Sequence, residues 1–272
     1  MSLPDVERVI YKRNPLIEVI SQLRFPQILK ISNRDPVEFQ DGIRRDYPIL
    51  TVGRGMVTVD KGSESLPYQV FEESVEDQIL NRAYLFNSED LQWQVSLGHD
   101  FISLSTQNYQ RYEEFKERFS QVLQQFETIY QPSFYSRVGL RYQDLIVRSN
   151  LEIEEVPWAE LIPPHIAPEL QAPEIVDAVV ASTRALVMNI GTSQVAFQHG
   201  LVEARDANNR SESAYLLDAD FFNEERIGLG NHVWDYLDKY NQAARKLFRW
   251  SISERLHLAM EPSSASGEAA SG

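Results

Sequence analysis

Cysteine is absent from the 272 residues, which excludes a disulfide framework, a thiolate zinc site, an iron–sulfur cluster and a cysteine nucleophile. No stretch approaches the ~20 consecutive apolar residues that span a bilayer. The opening Met1-Ser-Leu-Pro-Asp-Val-Glu-Arg8 lacks the basic start and apolar stretch of a secretion signal. These absences together predict a cytoplasmic protein with no membrane association. Positive charge is scarce as well: 26 Lys and Arg stand against 40 Asp and Glu, for a formal net charge of −14. A field of that sign repels phosphate backbones, so nucleic acid is not an expected partner; it speeds encounter with a basic protein, or serves solubility alone, as acidic charge more often does.

Metal and nucleotide chemistry find little to work with. His99, His165, His199, His232 and His257 are scattered, with no pair at helical metal-ligand spacing. Only His99-Asp100 has an adjacent carboxylate, and a turn between Leu97 and Phe101 accounts for it. His199 follows Phe197 in a strand-like run and reads as a satisfied core histidine. Gly53-Arg54-Gly55 and Gly228-Leu229-Gly230 are bare glycine pairs without the lysine or third glycine of a phosphate cradle. No serine lies in a nucleophile elbow, and acidic runs such as Glu152 to Glu155 read as solvated faces. The expectation is no metal, no cofactor and no catalytic residue of familiar type.

What is present is material for a core: 43% of the residues are hydrophobic and 11% aromatic. Leu16 to Phe25 alternates as a strand between Pro15 and Pro26. Asp35-Pro36 predicts an N-cap and first helical position for a short helix through Tyr47, which Pro48 ends. Strand-like pieces follow at Met56 to Val59, Tyr68 to Phe71, Arg82 to Phe86, Leu91 to Leu97 and Phe101 to Ser105. The period then turns helical from Tyr109 to Tyr130, with Tyr112, Phe115, Phe119, Val122, Leu123, Phe126 and Ile129 on one stripe.

The pattern restarts. Tyr135 to Val147 reads as a strand led by Tyr135-Ser-Arg137, as the first was led by Tyr11-Lys-Arg13. A short helical piece at Val156 to Leu161, a Pro-rich loop from Pro163 to Pro173, and strands at Thr183 to Ile190, Gln194 to Glu203 and Ser213 to Phe222 follow. Last comes a long helix from Asn231 to about Met260, with Val233, Leu237, Tyr240, Ala244, Leu247 and Phe248 at spacings of three and four. Each half reads strand, short helix, antiparallel strands, long amphipathic helix. The predicted fold is therefore α+β with an internal duplication: an N-terminal half over 1–131, a C-terminal half over 132–260, and an aperiodic, flexible tail over 261–272.

Three stretches carry a resemblance: Asn14-Pro-Leu-Ile-Glu-Val-Ile-Ser-Gln-Leu-Arg-Phe-Pro26, Arg137-Val-Gly-Leu-Arg-Tyr-Gln-Asp144 and Leu216-Leu-Asp-Ala-Asp-Phe-Phe222. Together they make the chain similar to a patchily distributed family of uncharacterised prokaryotic proteins of about this length, from roughly Tyr11 to Leu258. The resemblance implies no activity, cofactor or catalytic residue. Its patchy distribution implies a mobile or defence-linked accessory gene.

Two groups of residues remain as candidate sites. Glu18, Gln22 and Arg24 on the first strand, with Arg137, Arg141, Gln143 and Asp144 on the corresponding strand of the second half, could form a charged strip between the halves. Its arginines would fork onto a carboxylate or phosphate of a small ligand, or pair internally with acids. The final helix carries Trp234, Tyr236, Phe248, Trp250 and Ile252 beyond its core stripe, a surplus that points to a protein partner or a homodimer seam, or to a wide core face. The leading expectation is a non-catalytic interaction or regulatory protein. The alternative is a small-molecule sensor or an undescribed enzyme built on the arginines.

Overall fold

The computed structural model describes residues 3–54, 82–205 and 210–264. It is a mixed α+β structure with a large antiparallel sheet. Among the described residues no helix is long and apolar enough to cross a membrane. The chain divides into two compact units interleaved along the sequence: a first unit of Met1–Val19, Leu140–Asn223 and Trp234–Gly272, and a second of Ile20–Gly139 and Glu224–Val233.

In the second unit the strands β3 (Ile49–Arg54), β4 (Arg82–Asn87), β5 (Trp93–Leu97) and β6 (Phe101–Thr106) form an antiparallel meander, and the later residues of β2 (Leu16–Arg24) lie beside β6. The helices are α1 (Leu29–Asn33), α2 (Val37–Ile43) and α3 (Tyr112–Tyr130). The predicted stripe of α3 is the buried one, from Tyr112 through Phe126. Phe126 packs on Phe25 at 4.8 Å between ring centroids and Phe115 on Trp93 at 6.0 Å. Helix α3 ends at Gln131, in the left-handed region at φ 48°. Asp35 is not the N-cap expected of it: α2 follows Pro36 with no side-chain cap, because the Asp35 carboxylate accepts the Tyr84 hydroxyl at 2.7 Å instead. The strands expected at Met56 to Val59 and Tyr68 to Phe71 lie outside the described residues.

In the first unit the strand order is β7 (Arg137–Val147), β10 (Ser211–Asn223), β9 (Ser193–Arg205) and β8 (Arg184–Ile190). The early residues of β2 run antiparallel beside β7, with the Leu145 amide donating to the Pro15 carbonyl at 2.9 Å. Strict alternation in β9 and β10 sorts their side chains by face. Val195, Phe197, His199 and Leu201 share one face with Tyr215, Leu217, Ala219 and Phe221, and all eight are buried. Helix α5 (Asn231–Ser251) covers that face: its Tyr240 ring stacks 6.2 Å from Phe221, and its hydroxyl meets Ser193 Oγ at 2.9 Å.

The single long C-terminal helix expected from the sequence is two. Helix α5 stops at Ser251, and Ser253 caps a new helix, α6 (Glu254–Ala259), its hydroxyl accepting the Leu256 amide at 3.1 Å. An extended serine placed to cap outcompetes continuation of the helix. Short helix α4 (Trp158–Leu161) packs against α6, and the Leu161 carbonyl accepts the Ser253 amide. Part of the expected tail is also ordered: Pro262–Ser264 form β11, paired with β1 (Val9–Tyr11). The ladder is made by backbone groups, with one added bond from the Ser263 hydroxyl to the Ile10 carbonyl at 3.1 Å, and composition did not signal it.

Candidate functional site

The charged strip is a real cluster in the first unit, with different membership from the predicted one. Arg141 grips Asp218 of β10 along one edge of its guanidinium, Nε to Oδ1 at 2.7 Å and Nη2 to Oδ2 at 2.5 Å. Gln143 adds a third donor, Nε2 to Asp218 Oδ2 at 3.0 Å, while its buried Oε1 has no partner among the described residues. Burial pushes the Glu18 carboxyl up, partly offset by Arg141 and reinforced by Asp218. Asp144, only 9% exposed, is pushed up to about 8, first by burial and then by the Asp218 charge. A bidentate arginine satisfies one carboxylate, while burial disfavours the charged form of the two remaining acids, most strongly at Asp144.

The other predicted members lie in the second unit. Gln22 and Arg24 bond each other, Nε to Oε1 at 3.3 Å. Arg137 lies against Gly139, where an added Cβ would meet the guanidinium at 2.4 Å. Asp218 is the member sequence reasoning left out of its site. Its signal was a carboxylate within an otherwise apolar strand, the same signal that marked Glu18 and Asp144. Among the described residues no group of three or more His, Asp or Glu side chains is placed to hold a metal.

His199 sits 3% exposed, with Nδ1 at 2.9 Å from the Tyr215 hydroxyl. Burial, then Arg184, holds its pKa down to about 4. It is a neutral core histidine with a satisfied ring nitrogen.

The aromatic residues of α5 are half-buried and serve packing within the first unit. Phe248 meets the edge of Tyr11 at 5.7 Å, Trp250 lies 4.5 Å from the His165 ring, and Tyr236 lies 6.1 Å from Tyr240. Trp234 is likewise half-buried, and Ile252 is fully buried. Phe248 and Trp250, with Tyr11 and His257, also line a cavity of about 440 Å³ under the N-terminal segment. Tyr11 Oη and His257 Nδ1 are 2.8 Å apart. The cavity wall holds both signs of charge. Lys246 pairs with Asp5 at 2.5 Å, and Arg249, also in the wall, pairs with Glu254. Exposed Glu7 and half-buried Arg245 complete it.

A last feature escaped sequence reading, the outer edge of β8. Gly191-Thr192 is a two-residue hairpin loop closing on the pair Ile190 and Ser193, with Gly191 at φ 59°. A closing pair of this kind exchanges backbone hydrogen bonds, so every second residue back along β8 points its peptide groups at β9. The Ser182 amide, donating to the Leu201 carbonyl at 3.0 Å, keeps the same parity. Ala185 and Val187 therefore direct their N–H and C=O groups away from β9, the only strand paired with β8 among the described residues. Leu186 and Val187 are 44% and 67% exposed. Gly200 is required here, since a Cβ would sit 1.9 Å from the Ser182 carbonyl oxygen.

No protein-family model matches the chain, and no curated protein matches it.

Proposed function

We propose that this chain is a non-catalytic interaction or regulatory protein of the prokaryotic cytoplasm, an accessory subunit that takes up an extended segment of a basic partner along the edge of β8. The observation that carries this reading is the outward-facing peptide groups of Ala185 and Val187, flanked by exposed Leu186 and Val187. Edge strands that stay apolar and unpaired invite strand addition, which proteins otherwise suppress with charge, proline or bulges. Two copies of a chain of formal charge −14 repel each other, so the fitting occupant is a basic chain rather than a second copy. The resemblance to a patchily distributed prokaryotic family, most specific from Asn14 to Pro26, fits an accessory role.

Internal duplication belongs to the same proposal. Its support is that β2 lies beside the last strand of its meander, β6, and β7 beside β10, each meander being followed by a long amphipathic helix. The alternative, a sensor or undescribed enzyme built on Arg24, Arg137 and Arg141, draws less support because Arg141 is committed to Asp218.

Val187→Pro tests the edge. It removes one outward amide without touching the β9 ladder, a position where an edge strand tolerates proline. The wild-type chain isolated from native cells at physiological salt is expected to carry one stoichiometric partner, lost with Val187→Pro and with Val187→Lys at unchanged thermal stability. In the complex the Val187 amide should exchange slowly. Recovery of this chain alone, a partner retained by both variants, or a homodimer that both variants dissociate would overturn the reading.

A further inference from the structure

Among the described residues, Arg245 is the guanidinium in the cavity wall without a counterion. Its neighbours in the wall are neutralised, Lys246 by Asp5 and Arg249 by Glu254. Among the described residues Arg245 has neither an ion pair nor a side-chain hydrogen bond, and its Nε is buried with no acceptor. The Nε itself is closed to a ligand, but the two Nη groups of the half-buried guanidinium are neither buried nor bonded among the described residues, and an oxyanion in the cavity can accept from them. The walls beside it are the aromatic faces of Tyr11, Phe248 and Trp250. A cavity of about 440 Å³ is within the ordinary size of small-molecule sites, which pair a mostly apolar lining with a few convergent polar groups.

We propose that this cavity binds a small amphipathic oxyanion, a flat apolar body bearing a carboxylate or phosphate, with the anionic group on Arg245 and the body against Tyr11, Phe248 and Trp250. The acids of the wall favour this placement. Asp5 is 95% exposed and paired with Lys246, Glu7 is exposed, and neither forms an ion pair with Arg245 among the described residues. Tyr11 and His257 bond each other. This leaves Arg245 as the anchor and makes charge, rather than shape alone, the selector. The site lies wholly within the first unit and is independent of the β8 edge.

The test is titration calorimetry on the full chain with 1-naphthoate, 1-naphthyl phosphate and the neutral isostere 1-naphthamide, at physiological salt. At least one of the two anions is expected to bind about tenfold or more tighter than the amide, the discrimination a charge-assisted arginine contact supplies. Whichever anion binds tighter identifies the natural headgroup as carboxylate or phosphate. Arg245→Gln should erase the preference for the anion while leaving amide binding as it was, and Arg245→Lys should restore part of it. Equal binding of anion and amide to the wild-type chain, no binding of any probe at millimolar concentration, or an unchanged preference in Arg245→Gln would overturn the proposal. The wild-type comparison stands even if a variant fails to fold.

Discussion

Asp144→Asn is expected to change the slope of stability against pH, and the size of the change follows from the site. Burial and the neighbouring Asp218 charge raise the Asp144 carboxyl from 3.8 to about 8 in the folded chain. A raised folded pKa means that the folded state holds the proton more tightly than the unfolded one. Stability is thus fully present below the unfolded value, falls as pH rises, and reaches its floor above about 8. Between those limits one proton separates the two states, so the loss runs at about 1.4 kcal/mol per pH unit. From about pH 5.5 to about pH 7.5 it totals about 2.5 kcal/mol, and the neutral isostere does not suffer it. His199 acts in the opposite sense: its pKa of about 4 makes stability rise with pH until the ordinary value of 6.5 is passed. Both chains share His199, so it cancels from their difference. Urea unfolding of both chains across this range should show the stability of Asp144→Asn, relative to wild type, growing by about 2.5 kcal/mol. Parallel profiles would show that Asp144 is not held protonated, and the account of the cluster would fail with it.

Two further outcomes can be checked by the same unfolding measurements. Arg141→Met strands Asp218 without its bidentate partner. Because the Arg141 side chain is 36% exposed, the usual penalty for breaking a buried pair is discounted to about 2 kcal/mol. The double variant Arg141→Met/Asp218→Leu should recover at least half of that loss, and failure to do so would mean the pair is not the seat of the effect. Ser253→Ala removes the cap of α6 and should cost about 1 kcal/mol. A negligible effect would show that the break after Ser251 is imposed by packing of Leu256 and Leu161 rather than by the serine.

Local pattern carried most of the element boundaries. The period-2 run from Leu16 and the helical stripe from Tyr112 to Phe126 were both plain in the sequence, because each buries one face against a core and its polar residues mark the other. Strand order was not, since pairing β2 with β6, across α1, α2 and three strands, depends on long-range contacts that no local window contains. The break at Ser253 was hidden by apolar residues that keep helical spacing on both sides of it. Site legibility failed for a related reason. Arg245 and Arg249 stand one turn apart on α5 and read alike, as does Lys246. What distinguishes them is the acid each meets: Lys246 pairs with Asp5, 241 residues away, and Arg249 with nearby Glu254, whereas Arg245 has no such partner among the described residues. Arg141 was legible as an arginine in an apolar strand, but its role was decided by Asp218, 77 residues away.

The buried carboxyl and the cavity are electrostatically coupled. Burial raises the Tyr11 phenol to about 12, and the Asp144 charge adds to that rise, so Asp144 lies within electrostatic reach of a residue that lines the cavity. An oxyanion seated beside Tyr11 repels the ionised form of Asp144 and favours the protonated one. By linkage, ionising Asp144 must weaken the anion in equal measure, so affinity falls as pH rises through about 8. The neutral amide, carrying no charge, is indifferent to the state of Asp144. The separation between anion and amide is therefore widest below neutral pH, and the calorimetric comparison belongs there. In Asp144→Asn the anion's affinity should lose this pH dependence while its dependence on Arg245 remains, which separates the contribution of the acid from that of the guanidinium.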